Sequence, residues 1–384
     1  MKKIEFKSML VSIILVLIIY YFYTPALNIH AIEFWIFIIV ALCIYGASTS
    51  YSTLLGKRFK PEKVGYLGAA VALIVAGVLV TDLFTSKIFH ASRYASRIEV
   101  ENVKFNNKTL HEVDFSKTPI IDRKSTVKLG DKVMGEIPEY VSQFEVSDDY
   151  TQISYKNSVY RVTSLEYASF FKYLTNSKNG IPAYITVNST NGKAEIVKLK
   201  DLGLDGMKYV PSAILNHNLN RKLQLSYPTS IFGSPSFEVD EKGHPWYVCT
   251  TYTYFGVGNK KKVTGAVLFD PITGKSKKYD KDKVPKWVDR VYPEELIMTE
   301  IDENGSLQDG FFNSVLGQKN VTVTSEGYNY LEKDGDIWIY SGITSANKDS
   351  SNLGFVLSNL RTHQTLRFSC SGANEKSRNE ICRR

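Results

Sequence analysis

The sequence predicts a membrane-anchored α+β protein: three transmembrane helices, then an extracytoplasmic domain of antiparallel sheets. The long apolar runs all lie before residue 85, and beyond residue 98 apolar and polar residues alternate between turns rich in Asn, Asp and Gly. A composition of 12% aromatic residues, with 24 Tyr and 20 Phe, excludes a disordered chain, which lacks the apolar groups that offset its ordering entropy. A length of 384 residues suits two or three domains of about 100–200 residues. The expected division is a transmembrane domain over 1–84, a helical and stranded connector over 85–149, a repeat region over 150–284 and a β-rich region over 285–384.

The apolar runs are Ser8 to Leu27, Ala31 to Thr49 and Gly65 to Phe84. Each is near the ~20 residues that cross about 30 Å of hydrocarbon. Glu33 and Asp82 sit at run ends, where a charge reaches the interface cheaply, and Tyr20 to Tyr23 form an aromatic belt. A signal peptide is the competing reading of the first run, but the run is long and has no small-residue cleavage site. Lys2, Lys3 and Lys7 precede it; Lys57, Arg58, Lys60 and Lys63 lie before the third run. The loop Asn28 to His30 has no Lys or Arg. The positive-inside rule then expects a multi-pass protein of the cell membrane with a cytoplasmic N-terminus and residues 85–384 outside. Gly68, Ala72 and Ala76 recur every fourth residue in the third run, a helix-packing seam within the bundle or for a homo-oligomer; small residues are also simply common in spans.

The net charge of +8 is spread among Lys-rich turns and not gathered into an aromatic-lined stripe, so no nucleic acid is expected as a partner. Such a balance suits a protein beside the anionic lipid bilayer or an acidic wall polymer. Cys43, Cys249, Cys370 and Cys382 have neither zinc-ligand spacing nor a disulfide framework.

Residues 85–100 read as a helix, Ile98 to Phe105 as a strand, and Thr118 to Phe144 as two helices broken at Pro138. Tyr150 to Val162 reads as a hairpin turning at Lys156–Ser158. Thr163 is expected to open a helix, with Glu166 completing a capping box. Two strands follow, joined by Asn188 to Gly192, and Pro211 to Leu225 reads as a helix. The hairpin ends VNSTNGKAEIV and FDPITGKSKKY share one pattern: apolar strand, Asn or Asp, three residues, Gly-Lys, strand. Residues 352–368 repeat that shape, with Thr362 to Thr365 in place of the Gly-Lys turn. A β-propeller is the rival for this rhythm; the helices and unequal spacing count against it.

The segment Ala266 to Ser276, AVLFDPITGKS, resembles the closing hairpin of the PepSY module of bacterial cell-envelope proteins. The likeness covers residues 150–280 and implies PepSY-like helix-plus-sheet repeats. The whole chain is similar to an uncharacterised family of three-span bacterial membrane proteins, some labelled as colicin V production or twin-arginine signal proteins. LGDKVMGEIPEYVSQFEVSDDYTQI, RVYPEELI, FGSPSFEVDEKGHPWYV and VTVTSEGYNY carry that likeness. PepSY proteins restrain or chaperone peptidases, so the resemblance implies an envelope protein partner and no catalysis. Against that family, Arg378 to Arg383 reads as the product of a frameshift or truncation, which the downstream DNA tests.

Chemistry-bearing patterns are few. The six His include no metal-ligand spacing, and no G-x-S-x-G occurs. S-x-x-K appears at Ser125–Lys128 and Ser169–Lys172 without its companion motifs, and Phe269 stands where a phosphate loop before Gly274–Lys275–Ser276 would need Gly. Asp148–Asp149 and Asp334–Asp336 read as turn residues. No catalytic, cofactor-binding or metal residue is expected, and no cofactor. Trp246, Tyr252 and Tyr254 are the candidate binding face, alternation putting 252 and 254 on one sheet face, with core packing as the alternative. The expected function is to bind or regulate an envelope partner. The alternatives are an envelope hydrolase with an unrecognised site and a structural subunit of a membrane complex.

Overall fold

Pro25 carries no N–H and cannot continue a helix, so the first apolar run breaks there. The computed structural model describes residues 2–54, 61–104, 118–346 and 351–373. Helix α1 is Lys2–Tyr23, with Thr24 at φ +40° turning the chain away; α2 is Ile32–Leu54 and α3 is Pro61–Phe84. The expectation of three transmembrane helices is corrected here. Among the described residues one helix, Val64–Phe84, is long and apolar enough to cross a membrane, whereas Met9–Tyr23 and Ile32–Ser48 are shorter apolar helices. At 1.5 Å per residue these reach about 22 and about 26 Å, less than the ~30 Å hydrocarbon layer. One of these ends is set by the chain itself: Pro25, with no N–H to give, follows the end of α1 at Tyr23. The rest of the chain is a mixed α/β fold.

The chain divides into two units. Unit 1 holds Met1–Ser86 with Asn220–Phe232 and Tyr252–Lys262; unit 2 holds Lys87–Leu219, Gly233–Thr251 and Val263–Arg384. In unit 1, Tyr20 packs on Phe37 at 5.7 Å between ring centroids, and the Ser12 and Ser48 hydroxyls share a 2.6 Å hydrogen bond. Helix C-termini leave carbonyls without intrahelical donors. Arg221 Nε donates to the Tyr21 carbonyl at 2.8 Å, and Asn259 Nδ2 donates to the Asp82 carbonyl at 3.1 Å.

One plan is repeated three times along the rest of the chain: a helix, a short strand, a second strand, a ten-residue strand, and a closing hairpin of two more. In the first copy these are Arg123–Gly135, Phe144–Val146, Thr151–Tyr155, Ser158–Tyr167, Ala183–Asn188 and Ala194–Lys198. In the second they are Leu219–Ser226, Ile231–Phe232, Ser236–Val239, Pro245–Tyr254, Lys261–Phe269 and Ser276–Asp280. In the third they are Glu294–Leu307, Thr322–Thr324, Asn329–Lys333, Asp336–Ser345, Ser351–Asn359 and Thr365–Ala373. Each copy makes one antiparallel sheet, and Val100–Val103 adds to the third in parallel, Val100 facing Thr365.

The copies share side-chain chemistry as well as order. The short and second strands lie in line along one edge of the ten-residue strand: Phe144 pairs Tyr167 and Thr151 pairs Val162, as Thr322 pairs Ser345 and Asn329 pairs Tyr340. The break between them leaves carbonyls that need donors. Thr163, sixth in its strand, donates to the Ser147 and Asp149 carbonyls at 3.0 and 2.9 Å; Ser341, also sixth, donates to the Gly327 carbonyl at 2.9 Å.

The closing hairpins are the same turn three times. The side-chain oxygens of Asn188, Asp270 and Asn359 each accept the backbone N–H groups two and three residues on, between 2.8 and 3.2 Å. The N–H four residues on returns to the carbonyl of the same Asx, and that fourth residue is left-handed: Gly192 at φ +74°, Gly274 at +72° and His363 at +67°. Asx turns of this kind replace ladder partners with local ones.

The helix expected from Thr163 is also corrected. Ser158–Tyr167 is a strand, buried along most of its length, and the helix is Phe170–Asn176, with Ser169 accepting the Lys172 N–H at 3.4 Å. Glu166 caps nothing in that helix; its carboxylate accepts the Ser212 N–H at 3.0 Å. Sandwiching among neighbouring strands outweighs a local capping pattern worth about 1 kcal/mol.

Candidate functional site

Glu238 stands in the strand Ser236–Val239 with no exposed surface. A charge there needs donors, and it has them. Glu238 Oε2 accepts the Asp289 N–H at 2.8 Å and Oε1 the Arg290 N–H at 3.2 Å. Burial pushes the Glu238 carboxyl up to about 7, against the pull of those two N–H donors. Asp289, also buried, is raised by burial and by the Glu238 charge, while its Oδ2 accepts the Ser154 N–H at 2.7 Å. Arg290 continues the chain of polar contacts to Glu294 at 2.7 Å, and the Tyr330 hydroxyl donates to Glu294 at 3.1 Å. The path thus links Ser154 in the first sheet, Glu238 in the second and Tyr330 in the third.

The same carboxylate fixes the irregular segment 284–292, which carries Trp287. Trp287 lies 5.9 Å from Trp246 between ring centroids, tilted by 40°, and the His244 ring lies 5.1 Å from Trp246. Both tryptophans are half-buried. Trp246 Nε1 donates to Asp240 at 3.3 Å, and His244 Nε2 lies 3.4 Å from Asp270 Oδ1. Burial would raise the Asp270 carboxyl, but His244, the Thr273 hydroxyl and the N–H groups of Ile272 and Thr273 outweigh it and hold it at about 2. The result is a partly exposed indole pair beside a histidine and a fixed carboxylate. Indole faces attract C–H groups and cations, and the His–Asp pair supplies hydrogen bonding at their rim.

Of the expected binding face, the structure groups Trp246 with Trp287 and His244. Tyr252 and Tyr254 belong to unit 1. Tyr252 is buried with Lys261 Nζ 4.0 Å from its ring centroid; Tyr254 is half-buried, its hydroxyl raised by burial and by the Glu33 charge. Trp287 was not singled out from the sequence, because its contact with Trp246 joins segments about forty residues apart. His244, two residues from Trp246, was counted only as one of six histidines without metal-ligand spacing. Gly68, Ala72 and Ala76 all face outward on α3, and nothing lies within 4 Å of a Cβ built at Gly68. Ser169–Lys172 is the helix cap described above, and Gly274–Lys275 belongs to an Asx turn. The residues Arg378 to Arg383 and the basic residues Lys57, Arg58 and Lys60 lie outside the described residues.

Comparison of the chain with protein-family models, with curated proteins and with solved structures gives no match.

Proposed function

We propose that this chain is held in a bacterial cell membrane by the helix Val64–Phe84, and that unit 2 binds and regulates a protein of the cell envelope without catalysing a reaction. The observation that carries the reading is the half-exposed Trp246–Trp287 pair with His244 and Asp270 at its edge. An aromatic pair with a polar rim is the composition of a binding hot spot. The helix Val64–Phe84 supports the membrane location. Lys57, Arg58, Lys60 and Lys63 precede it, so the positive-inside rule directs unit 2 to the outer face. The PepSY likeness of Ala266 to Ser276 agrees with an envelope partner.

Chemical cross-linking of the full chain in native membranes, read by mass spectrometry, tests this. One enriched peptidase or wall enzyme is expected with the wild type. Trp246→Ala and Trp287→Ala should each lower its yield about tenfold, the loss of about 1.4 kcal/mol at a hot-spot residue. Only self-cross-links, or partner yields unchanged in both variants, would overturn the reading.

A further inference from the structure

The segment Phe311–Gly317 presents large apolar side chains to solvent: Phe312 is 67% exposed, Val315 55% and Leu316 80%. Apolar groups that cluster at one tip mark a surface that meets something other than water. The backbone of this tip makes several of its own hydrogen bonds. Ser314 N–H donates to the Gly310 carbonyl at 3.1 Å, and Gln318 N–H, at φ +48°, donates back to Asn313 at 2.6 Å in a π-type turn. The Asn313 side chain then serves Lys319 twice, donating to its carbonyl at 2.9 Å and accepting its N–H at 3.2 Å. These bonds reduce the number of backbone groups the turn would bring unpaired to a lipid surface, where each unpaired group costs several kcal/mol in hydrocarbon. Lys319, exposed at the base of the tip, supplies a cation for lipid phosphate.

What brings a bilayer within reach is the start of unit 2. The helix Lys87–Ala95 follows Phe84 by three residues, a reach of at most about 11 Å. It is fastened to the helix Glu294–Leu307: Lys87 Nζ lies 2.7 Å from Glu303, Arg97 2.9 Å from Glu303, and Asn304 Nδ2 donates to the Ala95 carbonyl at 2.9 Å. Phe311, next along the chain, packs with Ala91 against Tyr94, Ala95 and Leu307. Ile88 and Phe89 are exposed on the same short helix.

We infer that the Phe311–Gly317 turn is an interfacial anchor that inserts Phe312, Val315 and Leu316 into the membrane surface. It rests on the reading that Val64–Phe84 crosses that membrane. The occupant is lipid, since the apolar tip, its neighbouring lysine and the short tether to Phe84 all match an interface between headgroups and acyl chains.

The test uses the full chain in nanodiscs of phosphatidylethanolamine and phosphatidylglycerol carrying a diazirine on the acyl chain. Light cross-links the lipid to residues it touches, and mass spectrometry maps the adducts. Adducts on Leu79 or Val80 together with adducts on 311–317 are expected. In a Phe312→Asp/Leu316→Asp variant the adducts on the turn should fall several-fold while those on Val64–Phe84 persist; both residues are exposed, so the change leaves the core intact. Adducts on the helix but none on a detected 311–317 peptide would overturn the anchor and leave the membrane reading standing. No adducts on the helix would bring down both.

Discussion

Glu238 and Asp270 are two carboxyls displaced in opposite directions by their surroundings. Glu238 is raised from 4.5 to about 7 by burial. A group raised on folding stabilises the fold fully below its unfolded pKa and loses that contribution as pH rises through the folded value. Asp270, held at about 2, contributes above about 3.8 and loses its contribution as pH falls. Thermal unfolding of the full chain should therefore show falling stability from about pH 5 to about pH 8, on the order of 2 kcal/mol. Glu238→Gln should make that limb shallower, the remainder being carried by Asp289, which burial also raises. An unchanged slope in the variant would remove Glu238 as its cause. The Glu238 displacement was not legible in the sequence, because it is set by burial against the pull of donors about fifty residues away, Asp289 and Arg290. That of Asp270 was legible only in part, through the local donors Ile272 and Thr273, since His244 lies on another turn.

The Asx turns are where local sequence is most informative. Their hydrogen bonds run within five residues, so Asn188 to Gly192 and Asp270 to Gly274 announce themselves before any tertiary contact forms. The third turn was harder to read, since His363 occupies the left-handed position that Gly takes elsewhere. Its ring is held by Glu300 Oε2 at 2.7 Å and by stacking on Tyr292 at 4.2 Å. A left-handed residue with a Cβ costs about 1 kcal/mol or more, which the buried carboxylate contact offsets. The two glycines should then respond differently to substitution. A Cβ at Gly192 meets Ile121 and Leu129 at an ordinary 3.5 Å. One at Gly274 meets the Tyr209 ring at 2.6 Å, and that ring is wedged between Phe269 and His217. Gly192→Ala should cost about 1 kcal/mol from backbone strain alone, and Gly274→Ala about 2–4 kcal/mol through overpacking as well. Equal losses in denaturant unfolding would show that Tyr209 moves aside. The helix misplaced at Thr163 is the converse case: a capping box was present locally, but Val159, Val162 and Leu165 are buried between strands, and burial decided the conformation.

For the molecule as a whole, the outward face of α3 offers a separable test of assembly. No atom lies within 4 Å of a Cβ at Gly68, so Gly68→Leu should leave the fold and its unfolding temperature unchanged. If α3 pairs with a second copy through Gly68, Ala72 and Ala76, the same change should abolish a cross-linked dimer in membranes. A dimer that persists in Gly68→Leu would show that these residues are merely small, as residues in apolar helices commonly are.

The amino-acid sequence by itself determined the features whose physics is short-range. It placed the apolar helix that ends at Phe84, the break at Pro138, the Lys156–Asn157 turn with both residues at positive φ, and the closing hairpins of the first two copies. Only the tertiary structure decided the rest. It aligned all three copies of the sheet plan, made Ser158–Tyr167 a strand, and brought Trp287 to Trp246. The division has one cause. Turn and capping hydrogen bonds are satisfied within a few residues, whereas burial and the pairing of buried charges depend on segments that meet only when the chain has folded.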